Sequence, residues 1–242
     1  MTAHKPLVVI SGASSGIGEA MAKRFSAAGH PLLLLARRLE KMQALALPDT
    51  MCEKVDVTDR TQFEAAVKKA EAKYGPADCL INNAGVMLLG QIDTQDPAEW
   101  KRMFDLNVLA LINGMQIVLS AMKARRAGTI INISSVAGRK TFSNHAAYCG
   151  SKFAVHAISE NVRGEVSDEN VRVITIAPGA VETELLGHTT SDGIKAGYED
   201  WKKSMGGALA ADDIARSALF VYQQPQNVCI RELVLTATRQ RD

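Results

Sequence analysis

Short apolar runs alternate along the chain with longer stretches in which apolar residues recur at helical spacing. The runs are about the length of a strand and contain few polar positions, which is typical of strands buried on both faces of a sheet. They cover residues 7–10, 32–35, 79–81, 129–133 and 171–176, and a last one spans about 228–235. The helical stretches cover residues 17–28, 60–74, 100–125, 146–167 and 212–222. This alternation predicts an α/β protein with a doubly wound parallel sheet and helices on both faces.

One segment, residues 182–207, departs from this rhythm. It is rich in glycine and short polar residues, and it also carries Tyr198, Trp201 and Met205. Such a composition lowers the cost of rearrangement, and long loops in compact domains tend to be functional. We therefore expect a substrate lid here, and the alternative is a long surface connection. No repeat, low-complexity tract or linker divides the chain, so a single domain is predicted over residues 1–242.

Composition limits the classes of partner. Of the 242 residues, 47% are hydrophobic, which is enough for a sizeable core. The net charge of +2 is too small to indicate a nucleic-acid partner. The longest apolar stretches, such as residues 31–36, are far shorter than the roughly 20 residues of a membrane-spanning helix. We therefore expect a small-molecule partner, with neither nucleic acid nor membrane.

The cysteines and the first residues bear on metal binding and localisation. Cys52, Cys79, Cys149 and Cys229 lie far apart and form no C-x-x-C pair. This spacing favours reduced thiols over a disulfide framework or a zinc site, so no metal is expected. Residues 1–6 lead directly into the first predicted strand without the layout of a signal peptide. Both observations predict a cytoplasmic protein.

A glycine-rich turn joins the first predicted strand to the first predicted helix. Gly12, Gly16 and Gly18 lie in this turn, and Ser14, Ser15 and Ile17 stand among them. Glycines at this point permit a tight turn and allow a pyrophosphate to approach the backbone N–H groups at the start of the helix. The position between a strand and a helix makes the turn a candidate dinucleotide-binding loop.

The ends of the next two strands indicate which dinucleotide binds. An NAD site usually has a carboxylate after the second strand, whereas this chain has Arg37 and Arg38. Two guanidinium groups suit a 2′-phosphate, so NADPH/NADP is the predicted cofactor; the alternative is an ordinary basic start of a helix. Asp56 and Val57 close a predicted third strand at residues 55–57, where Asp56 is placed to meet the adenine or to cap a helix.

A candidate proton donor lies in the second half of the chain. Tyr148 and Lys152 are one helical turn apart and project from the same face, and Ser135 stands thirteen residues before the tyrosine. A lysine charge about 4 Å from the phenol, at an effective dielectric constant of about 20, contributes about 4 kcal/mol. That interaction could lower the pKa of the phenol by as much as about 3 from its usual value near 10. We therefore expect Tyr148 to act as a general acid and base.

These motifs occur together in one known family. Besides the glycine turn and the Tyr148–Lys152 pair, the chain carries Asn82-Asn83-Ala84-Gly85, Asn107, Ile133-Ser134-Ser135 and Pro178-Gly179-x3-Thr183. In this order they resemble a classical short-chain dehydrogenase/reductase from about residue 7 to residue 235. Residues 36–38, 148–150 and 224–232 are more narrowly similar to a bacterial subgroup that includes the NADPH-dependent blue fluorescent proteins.

The resemblance implies a Rossmann-type fold and roles for four catalytic residues. Ser135 would donate a hydrogen bond to the substrate carbonyl oxygen, and Tyr148 would deliver its proton as hydride leaves the nicotinamide. Lys152 would lower the pKa of Tyr148 and hold the nicotinamide ribose, and Asn107 would lie in a helix irregularity behind the lysine. Taken singly, each has a structural alternative, because Ser135 could cap a turn, Asn107 could be an ordinary helix residue and Tyr148 an interface aromatic.

The resemblance also extends the cofactor site. Beyond the glycine turn and the two arginines, the implied contacts are Asn83, Ala84, Gly85, Pro178, Gly179, Val181 and Thr183. Ser15 stands where many NADP-preferring relatives carry a basic residue, so recognition of the phosphate depends on Arg37 and Arg38. The resemblance further implies a homotetramer or homodimer built on the helices at residues 100–125 and 146–167.

The expected substrate pocket is mostly apolar. Its predicted lining is Met87, Leu88, Leu89, His145, Tyr198 and Trp201. Few cations are expected near it, which favours a small or medium apolar ketone or aldehyde over a polyanion. The predicted function is therefore reversible, NADPH-dependent reduction of a carbonyl to an alcohol. Two alternatives stay open: a 3-oxoacyl reductase acting on acyl carrier protein, and an NADPH-binding protein whose reductase activity is vestigial.

Overall fold

Seven parallel strands form one sheet at the centre of the part of the chain that the structure describes. The computed structural model describes residues 5–241, so residues 1–4 and 242 of the predicted domain lie outside the described part. The strands are β1 (Leu7–Ser11), β2 (Leu32–Ala36), β3 (Thr50–Lys54), β4 (Ala77–Asn82), β5 (Gly128–Ile133), β6 (Val171–Pro178) and β7 (Glu232–Leu235). Their order across the sheet is β3-β2-β1-β4-β5-β6-β7, and every pairing is parallel. The predicted doubly wound α/β fold is confirmed.

Helices cover both faces of the sheet. They are α1 (Gly16–Ala27), α2 (Leu39–Gln43), α3 (Arg60–Tyr74), α4 (Pro97–Phe104), α5 (Ala110–Arg125), α6 (Ala146–Glu165), α7 (Asp192–Ser204) and α8 (Ala211–Tyr222). Short 3-10 turns cover Val136–Gly138, Ser167–Glu169 and Glu184–His188, and a π-helical turn covers Asp105–Leu109.

Alternate residues of each strand serve two separate cores. On one face, Leu7 and Val9 of β1 pack in a cluster that includes Phe63 of α3 and Met115 of α5. On the other face, Val8 and Ile10 of the same strand pack in a cluster that includes helices α1 and α8. All four side chains of this strand are fully buried. Burial on both sides explains why these strands are continuous apolar runs with no alternation of polar residues.

The third strand lies earlier in the chain than predicted. Residues 55–57 are not a strand, because β3 covers Thr50–Lys54 and they follow it at the edge of the sheet. An edge strand pairs on one side only and keeps polar, half-exposed residues such as Thr50 and Glu53, so it gives no apolar run. Asp56 and Val57 nevertheless lie just beyond a strand end, where the cofactor prediction needs them.

The long central helix is interrupted. Helices α4 and α5 are joined by the π turn at Asp105–Leu109, and the whole rod covers Pro97–Arg125. Counted as one element of 29 residues, it is long and apolar enough, by length and composition only, to cross a membrane. The expected absence of a membrane partner stays a prediction. In its most apolar window, 44% of the residues are buried, and Met115, Val118 and Met122 belong to the core against the sheet.

Residues 182–207 are more regular than their composition suggests. The 3-10 turn at Glu184–His188 is followed by α7, whose first turn is capped by the hydroxyl of Ser191 accepting from the N–H of Ile194 at 3.4 Å. Gly193 and Gly197 fall inside this helix and have open space around their Cα atoms. A helix of 13 residues with polar, capped ends replaces the expected loop, and its role as a lid stays a prediction.

Candidate active site

A cleft of about 990 Å³ opens along the carboxyl ends of the strands. Residues that follow β1 to β6 line it, together with residues of α4, α6 and α7. Its lining includes the residues that follow β1 and β4, where the sheet order reverses, which is the usual place for a ligand in an open parallel sheet. This cleft brings together nearly all the residues that the sequence singled out.

The glycine turn is packed closely against the loop after β4. Gly12 has φ +68°, and a Cβ there would lie 2.8 Å from the Cα of Ala84. Gly16 has φ +55°, and a Cβ there would lie 3.0 Å from Cγ2 of Thr183. Gly12, Ser14, Ser15, Gly16 and Ile17 line the cleft. The turn therefore leaves backbone exposed at the start of α1, as a bound pyrophosphate requires.

Gly18 serves packing and does not line the cleft. A Cβ on Gly18 would lie 2.3 Å from the carbonyl oxygen of Gly12 and 2.6 Å from Nδ2 of Asn83. Its assignment as a cofactor contact stays a prediction. Its lack of a side chain instead allows α1 to approach the turn that precedes it.

Ser11 and Asn83 hold the two loops together. The Ser11 hydroxyl accepts from the N–H groups of Asn83 at 3.0 Å and Ala84 at 3.1 Å, and the Asn83 amide donates to the carbonyls of Ser11 and Gly12 at 3.0 and 3.2 Å. Both side chains thus fix the shape of the glycine turn. The sequence predicted Asn83 only as a neighbour of the adenosine, and the backbone of Asn83, Ala84 and Gly85 does border the cleft.

Arg37, Arg38, Asp56 and Val57 border the outer end of the cleft. Arg38 donates to the hydroxyls of Ser14 and Ser15, with the shortest distance 2.7 Å from Nη2 to Oγ of Ser15. The hydroxyl of Thr58 donates to Asp56 and lowers the pKa of its carboxyl, to which Arg37 adds a smaller effect. Two guanidinium groups, two hydroxyls and a carboxylate are a chemically suitable set for a phosphorylated ribose and its base.

Tyr148 and Lys152 project from α6 into the cleft and are both buried. The Lys152 ammonium lies 5.8 Å from the centre of the Tyr148 ring and donates to the carbonyl oxygen of Ile133 at 3.0 Å. Burial lowers the pKa of Lys152 to about 8. Burial also raises the pKa of Tyr148, and a hydrogen bond with the Ser135 side chain opposes this increase only in part.

The direction of the Tyr148 shift is opposite to the one expected from spacing alone. Loss of water around the phenol is the largest influence on its pKa, and the Lys152 ammonium donates to the carbonyl oxygen of Ile133. Tyr148 is therefore protonated at neutral pH. That is the form in which a phenol can donate a proton to a reduced carbonyl.

Ser135 follows β5 and also caps a turn. Its hydroxyl accepts from the N–H of Ala137 at 3.1 Å, which is the structural alternative for this residue, and it borders the cleft beside Tyr148. The Ser135 oxygen can cap the turn while the same hydroxyl forms its hydrogen bond with Tyr148. The two roles are compatible.

Asn107 lies in the middle of the π turn and does not line the cleft. Its side chain accepts from the N–H of Val86 at 2.9 Å and donates to the carbonyl of Val86 at 3.0 Å and to the hydroxyl of Ser151 at 3.1 Å. The Ser151 hydroxyl in turn donates to the carbonyl of Tyr148 at 2.7 Å. Sequence reasoning missed Ser151, whose position between Tyr148 and Lys152 was the only available signal.

The inner end of the cleft is lined by Met87, Leu89, His145, Tyr198 and Trp201. The Tyr198 and Trp201 rings are 5.1 Å apart, and His145 lies 6.2 Å from Tyr198 and 6.1 Å from Tyr148. Burial lowers the pKa of His145 and raises that of Tyr198 to about 12, so both rings are uncharged at neutral pH.

Leu88 is not among the residues that line the cleft, although it is buried in the same small core as Met87 and Leu89. The sequence also missed Phe142, Leu186 and Ile194, which lie in segments without a clear periodic pattern.

More cations face the cleft than expected. Lys101, Arg102 and Lys202 are all part of its lining. Lys202 is buried and is paired with Glu182 and Glu199 at 2.9 Å each, and Lys101 is paired with Asp105 at 2.5 Å. Local carboxylates thus neutralise two of the three charges.

The loop after β6 closes the cleft from the other side. Pro178, Gly179, Val181 and Thr183 line it, and the Thr183 hydroxyl accepts from the N–H of Leu185 at 3.3 Å. Within the described residues 5–241, no cluster of three or more His, Cys, Asp or Glu side chains is arranged to hold a metal ion.

Comparisons with known proteins agree with this geometry. A family model described as short chain dehydrogenase matches residues 6–193. An uncharacterized oxidoreductase of Staphylococcus saprophyticus is 35% identical over 240 residues, which cover 97% of this chain and 96% of that protein. The closed form of a serine dehydrogenase complexed with NADP+ superposes with a TM-score of 0.90 at 29% identity, covering 98% and 96% of the two chains. A 3-ketoacyl-(acyl-carrier-protein) reductase of Brucella melitensis complexed with NADH gives 0.87 at 26% identity, covering 98% of each chain.

Proposed function

The chain belongs to the short-chain dehydrogenase family of oxidoreductases, and from this premise we propose that it reduces a ketone or aldehyde to an alcohol, reversibly, with NADPH. The observation that carries the proposal is a buried Tyr148 that borders the same cleft as Ser135, Lys152 and the glycine turn. A protein that only binds a nucleotide has no need of a proton donor at that point.

Three side chains account for the chemistry at the carbonyl oxygen. NADPH, when bound, supplies the hydride that the carbonyl carbon accepts. Ser135 donates a hydrogen bond to the oxygen, which stabilises the negative charge that develops there. Tyr148 gives up its proton to that oxygen, and the charge of Lys152 stabilises the resulting phenolate. At pH 7 both groups are protonated, since the pKa of Lys152 is about 8 and that of Tyr148 is raised.

NADPH is preferred over NADH in this proposal because of Arg37 and Arg38. Arg38 is held by Ser14 and Ser15, so it lies beside the glycine turn, where the adenosine ribose of a bound dinucleotide belongs. The NADP+ complex of the similar serine dehydrogenase supports this choice, whereas the similar reductase of Brucella melitensis is complexed with NADH.

The substrate proposed is a small or medium apolar carbonyl compound. Met87, Leu89, Tyr198 and Trp201 form apolar walls, and His145 is uncharged at neutral pH. Aromatic walls stabilise flat or aliphatic groups by contact and give little to a polyanion.

A second candidate is a 3-oxoacyl reductase that acts on acyl carrier protein. The similar Brucella melitensis reductase favours it. The basic pair that could dock an acidic carrier is engaged elsewhere, because Arg125 donates to the carbonyl of Ala77 and Arg126 to that of Asp168. Ala77 begins β4, so the pair lies at the sheet edge opposite the cleft. A carrier bound there could not present its acyl chain to Tyr148.

A third candidate is an NADPH-binding protein with vestigial activity, as the resemblance to blue fluorescent proteins suggests. It shares the cofactor site with the main proposal, so binding alone does not separate the two. Strong blue emission of bound NADPH with no turnover on any carbonyl would favour it.

We further propose that the protein is a homodimer or homotetramer. Phe104, Leu109, Ile112 and Phe153 are large apolar side chains that stay exposed on the rod of α4 and α5 and on α6. Phe104 lies next to Gly150 of α6, so the rod and α6 meet beside these four residues, which are here termed the α5/α6 face. A second copy of this face is the occupant that would bury it symmetrically.

A panel of carbonyl substrates tests the proposed function. Loss of NADPH absorbance is measured with aliphatic and aromatic ketones and aldehydes, and with free and carrier-linked 3-oxoacyl substrates. Turnover on several free apolar carbonyls is expected. Turnover confined to carrier-linked substrates would support the second candidate instead.

A further inference from the structure

A carboxylate of the chain itself occupies the proposed phosphate site. Glu184 accepts from Nη1 of Arg38 at 2.8 Å and from Nζ of Lys41 at 3.1 Å. These bonds hold the pKa of Glu184 at about 2, so the group is ionised at any physiological pH. The negative charge of Glu184 therefore lies in contact with the Arg38 guanidinium, the group that is proposed to recognise the dinucleotide.

Four of the five N–H donors of Arg38 are already engaged. Nη1 serves Glu184, while Nε and Nη2 serve the hydroxyls of Ser14 and Ser15. A 2′-phosphate that approached the same guanidinium would meet the Glu184 carboxylate at close range, and two anions repel each other there. The phosphate can bind fully only when the carboxylate has left.

Glu184 also lies near the start of the proposed lid, residues 182–207. It begins the 3-10 turn at Glu184–His188, which leads to α7. Thr183, immediately before it, packs on Gly16, and Leu186 of the turn lies in the small core that contains Tyr148. The short segment at residues 183–186 therefore connects the phosphate site, at Glu184, with the substrate end of the cleft, near Tyr148.

We propose that Glu184 is an internal competitor for the 2′-phosphate and a determinant of cofactor specificity. Arg38 exchanges the carboxylate for the phosphate, and this exchange frees the turn that begins the lid. NADH has no such phosphate and leaves the Arg38–Glu184 pair in place. The inference rests on the proposed use of NADPH.

Titration calorimetry with 2′,5′-ADP and 5′-AMP tests the exchange, because these ligands differ only in the phosphate. Wild-type protein is expected to bind 2′,5′-ADP more tightly. Glu184→Gln removes the competitor, and we expect it to increase the affinity for 2′,5′-ADP by about twofold to fivefold, the upper part of the range that exposed ion pairs allow. Its affinity for 5′-AMP should stay within about twofold, and the gain should shrink at high salt.

Glu40→Gln is the matched control. Glu40 lies on α2 between Arg38 and Lys41 in sequence and is exposed, so its loss changes the net charge equally without removing the contact to Arg38. We expect it to change the affinity for 2′,5′-ADP by less than about twofold. An equal gain in both variants would mean that long-range charge is responsible and would overturn the role of Glu184.

Hydrogen exchange in the wild-type protein tests the connection to the lid without any substitution. The amides of Leu185 and Thr189 are bonded within or next to the turn, at 3.3 and 3.0 Å. Saturating 2′,5′-ADP should raise their exchange rates by about twofold or more over saturating 5′-AMP. Equal rates with the two ligands would contradict the release of the turn.

The outcomes separate this inference from the proposed function. If wild-type protein binds the two ligands equally, the preference for NADPH fails and the inference fails with it. If wild-type protein prefers 2′,5′-ADP but Glu184→Gln binds it no more tightly, only the inference fails. Tighter binding by Glu184→Gln alone supports both.

Discussion

At the scale of single residues, the chemistry depends on burial as much as on spacing. The interval between Tyr148 and Lys152 predicts that both side chains share one helix face, and both border the cleft. The interval cannot predict whether the pKa of the phenol is raised or lowered, because desolvation is set by residues distant in sequence. Likewise, Leu88 and Gly18 could be placed near the site by sequence but not oriented toward or away from it.

The buried lysine predicts how the reduction depends on pH. Because the pKa of Lys152 is lowered to about 8, its charge is present below that pH and is lost as the pH rises through it. Loss of the charge removes the stabilisation of the phenolate, so the rate of carbonyl reduction should be flat from pH 6 to about 7.5 and fall above about 8. A rate profile recorded from pH 6 to 10 checks this. A constant rate up to pH 10 would be inconsistent with a catalytic charge on Lys152.

Ser151 predicts a stability effect at the π turn. Ser151→Ala deprives the buried amide of Asn107 of one acceptor, which should lower the free energy of unfolding by about 1–3 kcal/mol in denaturant titrations. Ser217→Ala is the control, because its hydroxyl also donates to a helix carbonyl, that of Asp213, without serving a buried amide. Its cost should stay below about 0.5 kcal/mol. Equal losses would remove any special role for Ser151.

At the scale of elements, the chain encodes its buried segments more clearly than its exposed ones. Helix α3 was predicted with the bounds it has, and the buried strands were placed to within two residues. The position of the edge strand β3 was predicted wrongly because its residues are mostly half-exposed and several are polar. The hydrophobic pattern did not predict the π turn, because an extra residue in a helix hardly changes the spacing of apolar positions. The family resemblance did place Asn107 in a helix irregularity.

Gly164 tests local helix energetics. It is exposed near the end of α6, with no atom within 4 Å of an added Cβ. Gly164→Ala should therefore stabilise the protein by about 0.5–1 kcal/mol, because alanine loses less backbone entropy in a helix. Thermal unfolding should show a midpoint higher by a few degrees. In contrast, Gly18→Ala meets the Gly12 carbonyl and should lower the midpoint, and a rise there would contradict the packing described for the turn.

At the scale of the whole molecule, the candidate active site lies at the carboxyl ends of the strands, and the exposed apolar face lies on the helices. The cleft gathers residues from six strand ends, which explains why motifs scattered from Gly12 to Thr183 converge. The α5/α6 face lies on the helices that carry Tyr148 and Asn107, so assembly and active-site geometry share the same elements. The motifs and the family resemblance predicted that these residues form one site, but the exposure of this face is visible only in the fold.

Light scattering of the purified protein tests the proposed assembly. Leu109 is 53% exposed in the α5/α6 face, so Leu109→Lys would bury an unpaired charge in a symmetric interface. The molar mass should fall from that of an oligomer to that of a single chain. Ile92→Lys alters an equally exposed apolar residue outside this face and should leave the mass unchanged. A single-chain mass for the wild-type protein would contradict the proposal.

The measurement that tests the central claim most directly is the steady-state rate of Tyr148→Phe on a carbonyl that the wild-type protein reduces. Removal of the phenolic hydroxyl should lower the rate by about 10²–10⁴-fold, the usual contribution of a general acid, while NADPH affinity by calorimetry stays within a few-fold. Tyr74→Phe, which alters a tyrosine of α3 on the apolar core away from the cleft, should keep both values. A Tyr148→Phe rate close to that of the wild-type protein would contradict the account.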